Sequence, residues 1–383
     1  MSRVEVHPDV LLWALSRSRK HPKDLGKRQQ KVESWLSGVS MPTLKQLQDF
    51  AAVTATPFGY FFLPTPPDEP LPIPDFRTII GGSMQSPSAN LLDTLYAMKR
   101  RQDWLRETLM EEEAEPLSFV GFACLNDPPE SIGKEMRRML GLEDGWAASV
   151  RTWTDAVSEL RRAIEQLGVI TVINGVVGNN THRKLDIEEF RGFALCDLYT
   201  PLIFVNGVDF KSAQMFTLAH ELAHIWLGRE GISGFEGIIA SGSDVEKFCD
   251  AAAAEFLVPE KDVREFWPRA KREIKPYHAI SRRCKVSPVV AARRVCDLHL
   301  INREDFFTFY NAYTAEEKHT KKTKGTGGDF YNNQNTRVGE RFAMEVIRAA
   351  KEGRIPYRDA YTLTDLYGRA FDNYVQHLGF DVL

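Results

Sequence analysis

The chain has 383 residues, 43% hydrophobic and 26% charged, with a net charge of −3, a composition ordinary for a soluble globular protein of two or three domains. No run of 18 apolar residues is present, so no membrane span is expected, and the opening MSRVEVHPDV lacks the apolar segment of a secretion signal. Cys124, Cys196, Cys249, Cys284 and Cys296 are scattered without a CxxC; they read as reduced thiols of a cytoplasmic protein rather than as a disulfide framework.

In chain order, residues 1–45 are locally basic, and residues 8–63 carry the spacing of several short helices. Val10, Leu11, Leu12, Trp13 and Leu15 mark the first; Leu25, Val32, Trp35 and Leu36 follow, stopped at Gly38. Pro42-Thr43 opens another helix through Leu44, Leu47, Phe50 and Ala51, and Phe58–Leu63 a last short one. The string KVESWLSGVSMPTLKQLQDFAAVTATPFGYFFL resembles the Cro/C1-type (XRE) helix-turn-helix through Trp35, Gly38, Pro42-Thr43, Gln46-Leu47 and Ala51. It departs from that pattern between Leu25 and Val32, which is short for a complete second helix and turn. The resemblance implies DNA contact through residues 1–63, with Gln29, Gln30, Lys31 and Ser34 as the candidate contacts, or protein docking on the same fold.

The linker, residues 64–88, overlaps the proline-dense LPTPPDEPLPIPDF of residues 63–76, an extended linker or a strap lying along a neighbouring domain. Helices are expected over 89–112, 131–140 and 152–167, then short strands at Val169–Asn174, Gly192–Asp197 and Pro201–Asn206. The helix SAQMFTLAHELAHIWLG follows directly, and Gly228 ends it. Residues 229–243 read as a Gly- and Ser-rich loop, and 244–257 as the next helix. Residues 278–301 read as a helical cap, 315–336 as a polar linker and 337–383 as a small helical unit. The fold class is α+β, mostly helical: an N-terminal helix-turn-helix bundle (1–63), a minimal zincin-like domain with a small sheet (89–314) and a helical C-terminal segment.

His220-Glu221-Leu222-Ala223-His224 is the HExxH pattern. On a helix, residues four apart share a face, so both imidazoles can reach one metal ion while Glu221 reaches a water beside it. Two histidines and a glutamate on an otherwise apolar helix are costly unless paired or liganded. A catalytic zinc site needs a third protein ligand. A metzincin would place a further histidine six residues after His224, where this chain has Glu230. Glu246, on the following helix, is the favoured ligand, with Asp250 one turn on to orient a ligand histidine; the pair resembles the ExxxD element of thermolysin-like gluzincins. Glu236 and Glu255 compete for the ligand role. Zn²⁺, one per chain, suits the donor set, with manganese or iron as alternatives. Tyr277 and His278 are candidate oxyanion donors, and Cys249 and Cys196 are candidates for a thiol switch against a simpler reading as core cysteines.

Residues 192–259 resemble the ImmA/IrrE metallopeptidases through GFALCDLYTPLIFVNGVDFKSAQMFTLAHELAHIWLG and VEKFCDAAAAEFLVP. The second stretch departs from the family at Cys249-Asp250 and Ala252. The resemblance implies a cytoplasmic bacterial or phage endopeptidase that cleaves a partner regulator, a transcriptional repressor, in a stress, phage or mobile-element response. Fused forms of this length also resemble components encoded beside PIN-type ribonuclease toxins. The alternative is therefore a DNA-binding regulator or antitoxin-like protein whose metal site is structural.

Overall fold

The computed structural model describes residues 3–74, 86–233, 243–320 and 333–380. The chain packs as two compact units: Met1–Pro72 with Ile79–Ala97 and Asn180–Leu185, and Ile73–Thr78 with Met98–Asn179 and Asp186–Leu383.

In the first unit, α1 (Pro8–Arg17) starts on a proline and is capped by His7. A 3-10 segment, Pro22–Arg28, precedes α2 (Gln29–Leu36). Thr43 and Gln46 form a reciprocal capping box at the start of α3 (Leu44–Thr54). Val10, Leu11, Val32, Leu47, Phe50 and Phe61 are buried together, with Trp35 edge-on to Phe50. The stretch between Leu25 and Val32 holds no full helix because Gly26 turns to φ 55° inside the 3-10 segment. The proline-rich segment is fastened rather than loose: the buried Arg17 guanidinium donates to Glu69 and to the Ala55 carbonyl. Phe76 lies outside the described residues.

The second unit holds α4 (Ala89–Glu111) from Met98 on, α5 (Pro129–Met139) and α6 (Trp153–Gln166), the last capped by Thr152. In chain order the strands are β1 (Ile170–Asn174), β2 (Val176–Val177), β3 (Asn180–Lys184, part of the first unit), β4 (Gly192–Leu195), β5 (Leu202–Asn206) and β6 (Gly231–Ser233). Among the described residues, a four-stranded mixed sheet runs β1-β5-β4-β6; β1 and β5 are parallel, and β4 is antiparallel to both neighbours. β1, β4 and β5 are buried at every position, which is why their sequences are continuous apolar runs rather than alternating ones.

α7 (Lys211–Leu227) packs beneath β4 and β5 and against α6 and α8 (Asp244–Leu257). Leu218, Leu222, Ile225 and Trp226 are fully buried, and Phe119 stacks on Trp226 with centroids 4.5 Å apart. α9 (Glu260–Ala270), α10 (Pro276–Cys284) and α11 (Pro288–Asp297) follow. Val289, Ala292 and Val295 face the core, as a cap requires. α12 (Arg303–Thr320) continues through residues 315–320, whose polar composition had suggested a linker. Helices Glu340–Lys351, Tyr357–Thr364 and Arg369–His377 close the chain. Buried Arg101 anchors this part, donating to the carbonyls of Leu363 and Arg337 and to Asp365. Among the described residues, no helix is long and apolar enough to cross a membrane.

Candidate metal centre

α7 is held at both its face and its end. The Gly121 amide donates to the Ile225 carbonyl and the Ala123 amide to that of Trp226, satisfying groups a helix C-terminus leaves open. Gly228 caps the helix at φ 62°, and a Cβ there would come within 3.0 Å of the Gly121 Cα. His220, Glu221 and His224 sit in the clamped, packed part of this helix, at 5%, 0% and 0% exposure. α8 begins at Ser243, whose hydroxyl accepts from the Glu246 amide. That start puts Glu246 in the first turn and Asp250 one turn later.

Two imidazoles and one carboxylate converge. His220 Nε2 and His224 Nε2 are 3.1 Å apart. Glu246 Oε2 lies 3.1 Å from His220 Nε2, and Glu246 Oε1 lies 3.1 Å from His224 Nε2. A tetrahedral ion bound at 2.0–2.1 Å separates its ligand atoms by about 3.3 Å, close to each of these contacts. His220, His224 and Glu246 thus form a group able to hold one metal ion. Asp250 Oδ1 is 2.9 Å from His220 Nδ1, leaving Nε2 to face His224 and Glu246.

The charges follow from this packing. Burial would lower the His220 pKa, but Glu246 and Asp250 outweigh it and raise it well above 6.5. His224 goes the other way: burial lowers it, and its contact with Glu246 only partly compensates. Burial opposes ionisation of Glu246, yet the two imidazoles hold its carboxyl far below the usual range. Glu221 is pushed up to about 8 by burial, against the pull of His220 and Ser233. Neither Glu221 oxygen meets hydrogen-bond geometry with any described group. A fully buried carboxyl left so is costly, and a cation among the three donors would favour its charged form.

Gly192 leaves room for that carboxyl. A Cβ at Gly192 would lie 2.8 Å from Glu221 Oε1 and 2.6 Å from Thr217 Cγ2. Gly192 pairs with Ser233 across β4 and β6. Sequence reasoning missed both residues: Gly192 read only as a strand start, and β6 was part of an expected loop. The Gly-rich composition on either side of Ile232 hid the strand.

The other candidates fall elsewhere. Glu255 is at the far end of α8, bound to Arg137 and Arg294 and to the Glu260 amide, so it is not free to be a ligand. Glu236 lies outside the described residues. Tyr277 and His278 belong to an aromatic cluster with Phe309, which Trp267 and Tyr313 extend. Cys249 is fully buried, and Cys196 donates to the His224 carbonyl at 3.7 Å. Burial pushes the Cys196 thiol up to about 12 and Cys249 well above 9.0, which works against thiolate chemistry at either. On α2, Gln30 and Lys31 are exposed. Gln29 instead donates to Glu33, and the Ser34 hydroxyl is engaged with Lys31 O and Ser40 Oγ.

Residues 165–295 match the family model Peptidase_M78, the IrrE N-terminal-like domain. That range runs from the end of α6 through the sheet, α7 and α8 to α11, and so contains His220, His224 and Glu246. The match supports a metallopeptidase of the IrrE/ImmA type. A second model, a domain of unknown function (DUF8813), matches residues 338–377. No curated protein matches the chain.

Proposed function

We propose that this chain is a zinc-dependent endopeptidase in which His220, His224 and Glu246 hold the ion, Glu221 is the general base and Asp250 orients His220. The observation that carries the reading is the convergence of two imidazole nitrogens and the Glu246 carboxylate, with contacts of 3.1 Å, beside the fully buried Glu221 carboxyl. When bound, the ion supplies Lewis-acid chemistry, polarising the scissile carbonyl and acidifying water towards neutral pH. Glu221 accepts the proton of the attacking water as its oxygen adds to the carbonyl carbon. It delivers that proton to the departing nitrogen as the C–N bond breaks. Asp250 holds the His220 ring so that Nε2 keeps its lone pair for the ion.

The substrate in this reading is a partner regulatory protein, a transcriptional repressor cleaved in a stress, phage or mobile-element response in the cytoplasm. The resemblance of residues 192–259 to the ImmA/IrrE metallopeptidases supports it. Metal content by mass spectrometry tests the site: about one zinc per chain in the wild type, lost in His220→Ala and Glu246→Ala. Full retention in Glu246→Ala would break the ligand assignment.

A second reading, a DNA-binding regulator or antitoxin-like partner of a PIN-type toxin, is favoured by the exposed Gln30 and Lys31 at the start of α2. Glu221→Gln separates the two. It abolishes the cellular response if cleavage is the function and leaves it intact if DNA or toxin binding is.

A further inference from the structure

A cleft of about 700 Å³ opens between α5, the end of α8 and the start of α9, within the size range of small-molecule sites. All of it belongs to the second unit. Glu255, which lines it, is nine residues along α8 from Glu246, about 13.5 Å of helix axis, so the cleft is separate from the metal centre. Its lining holds two apolar residues, Leu142 and Pro259, and no aromatic ring; the rest are five cations and three carboxylates. The whole chain has a net charge of −3, so this local excess of positive charge runs against its average. Most of the charge is already matched. Arg137, 4% exposed, is 3.0 Å from Asp144 and 3.2 Å from Glu255 Oε1, while Arg294 and the Glu260 amide take Glu255 Oε2. Arg264 pairs with Glu260, and Arg138 with Glu135. Lys134 on α5 and Lys261 on α9 are left over. Both are exposed, and among the described residues neither ammonium enters an ion pair or a hydrogen bond. Arg264 holds the Glu260 carboxyl below its usual range, and the charge of Lys134 adds to that effect from α5.

We propose that this cleft binds a small anion carrying neighbouring phosphate groups, held by Lys134 from α5 and Lys261 from α9. The inference stands apart from the peptidase reading. Two unmatched ammoniums on different helices suit a ligand with two anionic groups; a single carboxylate would leave one of them unmet. Arg138 can join them, because its exposed pair with Glu135 is worth little and is readily exchanged. The buried Arg137–Glu255–Arg294 cluster need not open, so the floor stays rigid while the rim engages the ligand. Pro259, Glu260 and Lys261 bring the start of α9 to the cleft, and the dipole there favours negative charge. The two apolar residues are too few to recognise a greasy ligand, and without an aromatic ring there is no platform on which a base could stack. Phosphate groups are therefore what the cleft reads, whether free or carried by a nucleotide.

Isothermal titration calorimetry of the full-length chain with sodium pyrophosphate, at about 0.15 M salt, tests this. The expected result is one pyrophosphate per chain. Lys134→Ala and Lys261→Ala each weaken it roughly ten-fold, the loss of one charge-assisted contact, and leave the urea midpoint unmoved because both side chains are exposed. Lys247→Ala removes the same charge near the start of α8 and leaves the affinity unchanged. Equal weakening by all three substitutions would mean a general attraction to positive surface and overturns the proposal, as does a wild-type chain that takes up no pyrophosphate. Pyrophosphate also binds metal ions, so His220→Ala is titrated alongside. Binding that disappears there but survives both cleft substitutions belongs to the metal centre, and the proposal falls. Adenosine diphosphate distinguishes the source of the phosphates: affinity equal to that of pyrophosphate means that the phosphates alone are read, and tighter binding names a nucleotide as the occupant. Stoichiometric displacement of pyrophosphate by a short DNA duplex would instead assign the cleft to a nucleic-acid backbone and overturn the small-anion reading.

Discussion

The two ends of α8 present the same residue in opposite conditions. Glu255, near the last turn, is 1% exposed and saturated: Arg137 takes Oε1, while Arg294 and the Glu260 amide take Oε2. Glu246, in the first turn, faces two imidazole nitrogens that also face each other, with the fully buried Glu221 beside His220 in sequence. A carboxylate surrounded by permanent cations has its partners built in and holds helices together. A carboxylate whose neighbours are imidazoles has partners that can give up their protons, so the same atoms can turn to a cation. Burial alone does not tell the two apart; what distinguishes them is whether the polar atoms are already satisfied.

The largest expected effect sharpens that contrast at the first turn. Glu221→Gln keeps the fold and about one metal per chain while lowering hydrolysis about 10²- to 10⁴-fold, the usual contribution of a general base; single-turnover cleavage of a reporter protein measures it. A variant that cleaves at the parent rate would remove Glu221 from the mechanism. At the other end, Glu255→Gln leaves two buried guanidinium groups short of their counter-charge. It should cost about 3–5 kcal/mol of stability, read as a shift in the urea midpoint with no direct loss of metal in the molecules that remain folded. If stability held and metal were lost instead, the division between structural and chemical ends would be wrong. Asp250→Asn is smaller: it spoils the orientation of His220 and weakens metal binding about 10- to 100-fold, measurable by competition with a chelator.

The pH dependence is the finest probe. In the ion-free chain the His220 pKa is raised by Glu246 and Asp250 against the opposing effect of burial. A raised folded-state pKa contributes stability that is complete below about 6.5 and is lost as pH rises through the folded value. Metal uptake must expel that proton, so apparent affinity rises over the same interval. Denaturation and metal titrations from pH 6 upward should therefore slope in opposite directions, and parallel slopes would mean that His220 is not the group being deprotonated.

The shared face of His220 and His224 was legible because a helix fixes its own geometry: residues four apart lie on one side. Glu246 and Asp250 were readable for the same reason once α8 was assumed to return against α7. What the sequence hid depends on contacts between distant segments. β6 is three residues long and flanked by glycine-rich chain, so only its pairing with β4 reveals it as a strand. The demand on Gly192 comes from Glu221, twenty-nine positions away. Glu255 looked like a possible ligand until Arg137 and Arg294 were seen on it. Near the N-terminus, Gly26 decides that a 3-10 segment stands where a full helix would complete the pattern.

The clamp on the end of α7 bears on how the molecule would behave if the proposed ion were removed. Small zinc modules use the metal as their core and unravel when it is stripped. Here Leu218, Leu222, Ile225 and Trp226 are buried by the chain itself, and the Gly121 and Ala123 amides fasten the helix end. The ordering of the donor side chains is thus completed during folding rather than at the moment of binding. A chelated sample should remain soluble, cooperative and rechargeable, so removal of the metal would work as a reversible off state rather than as damage.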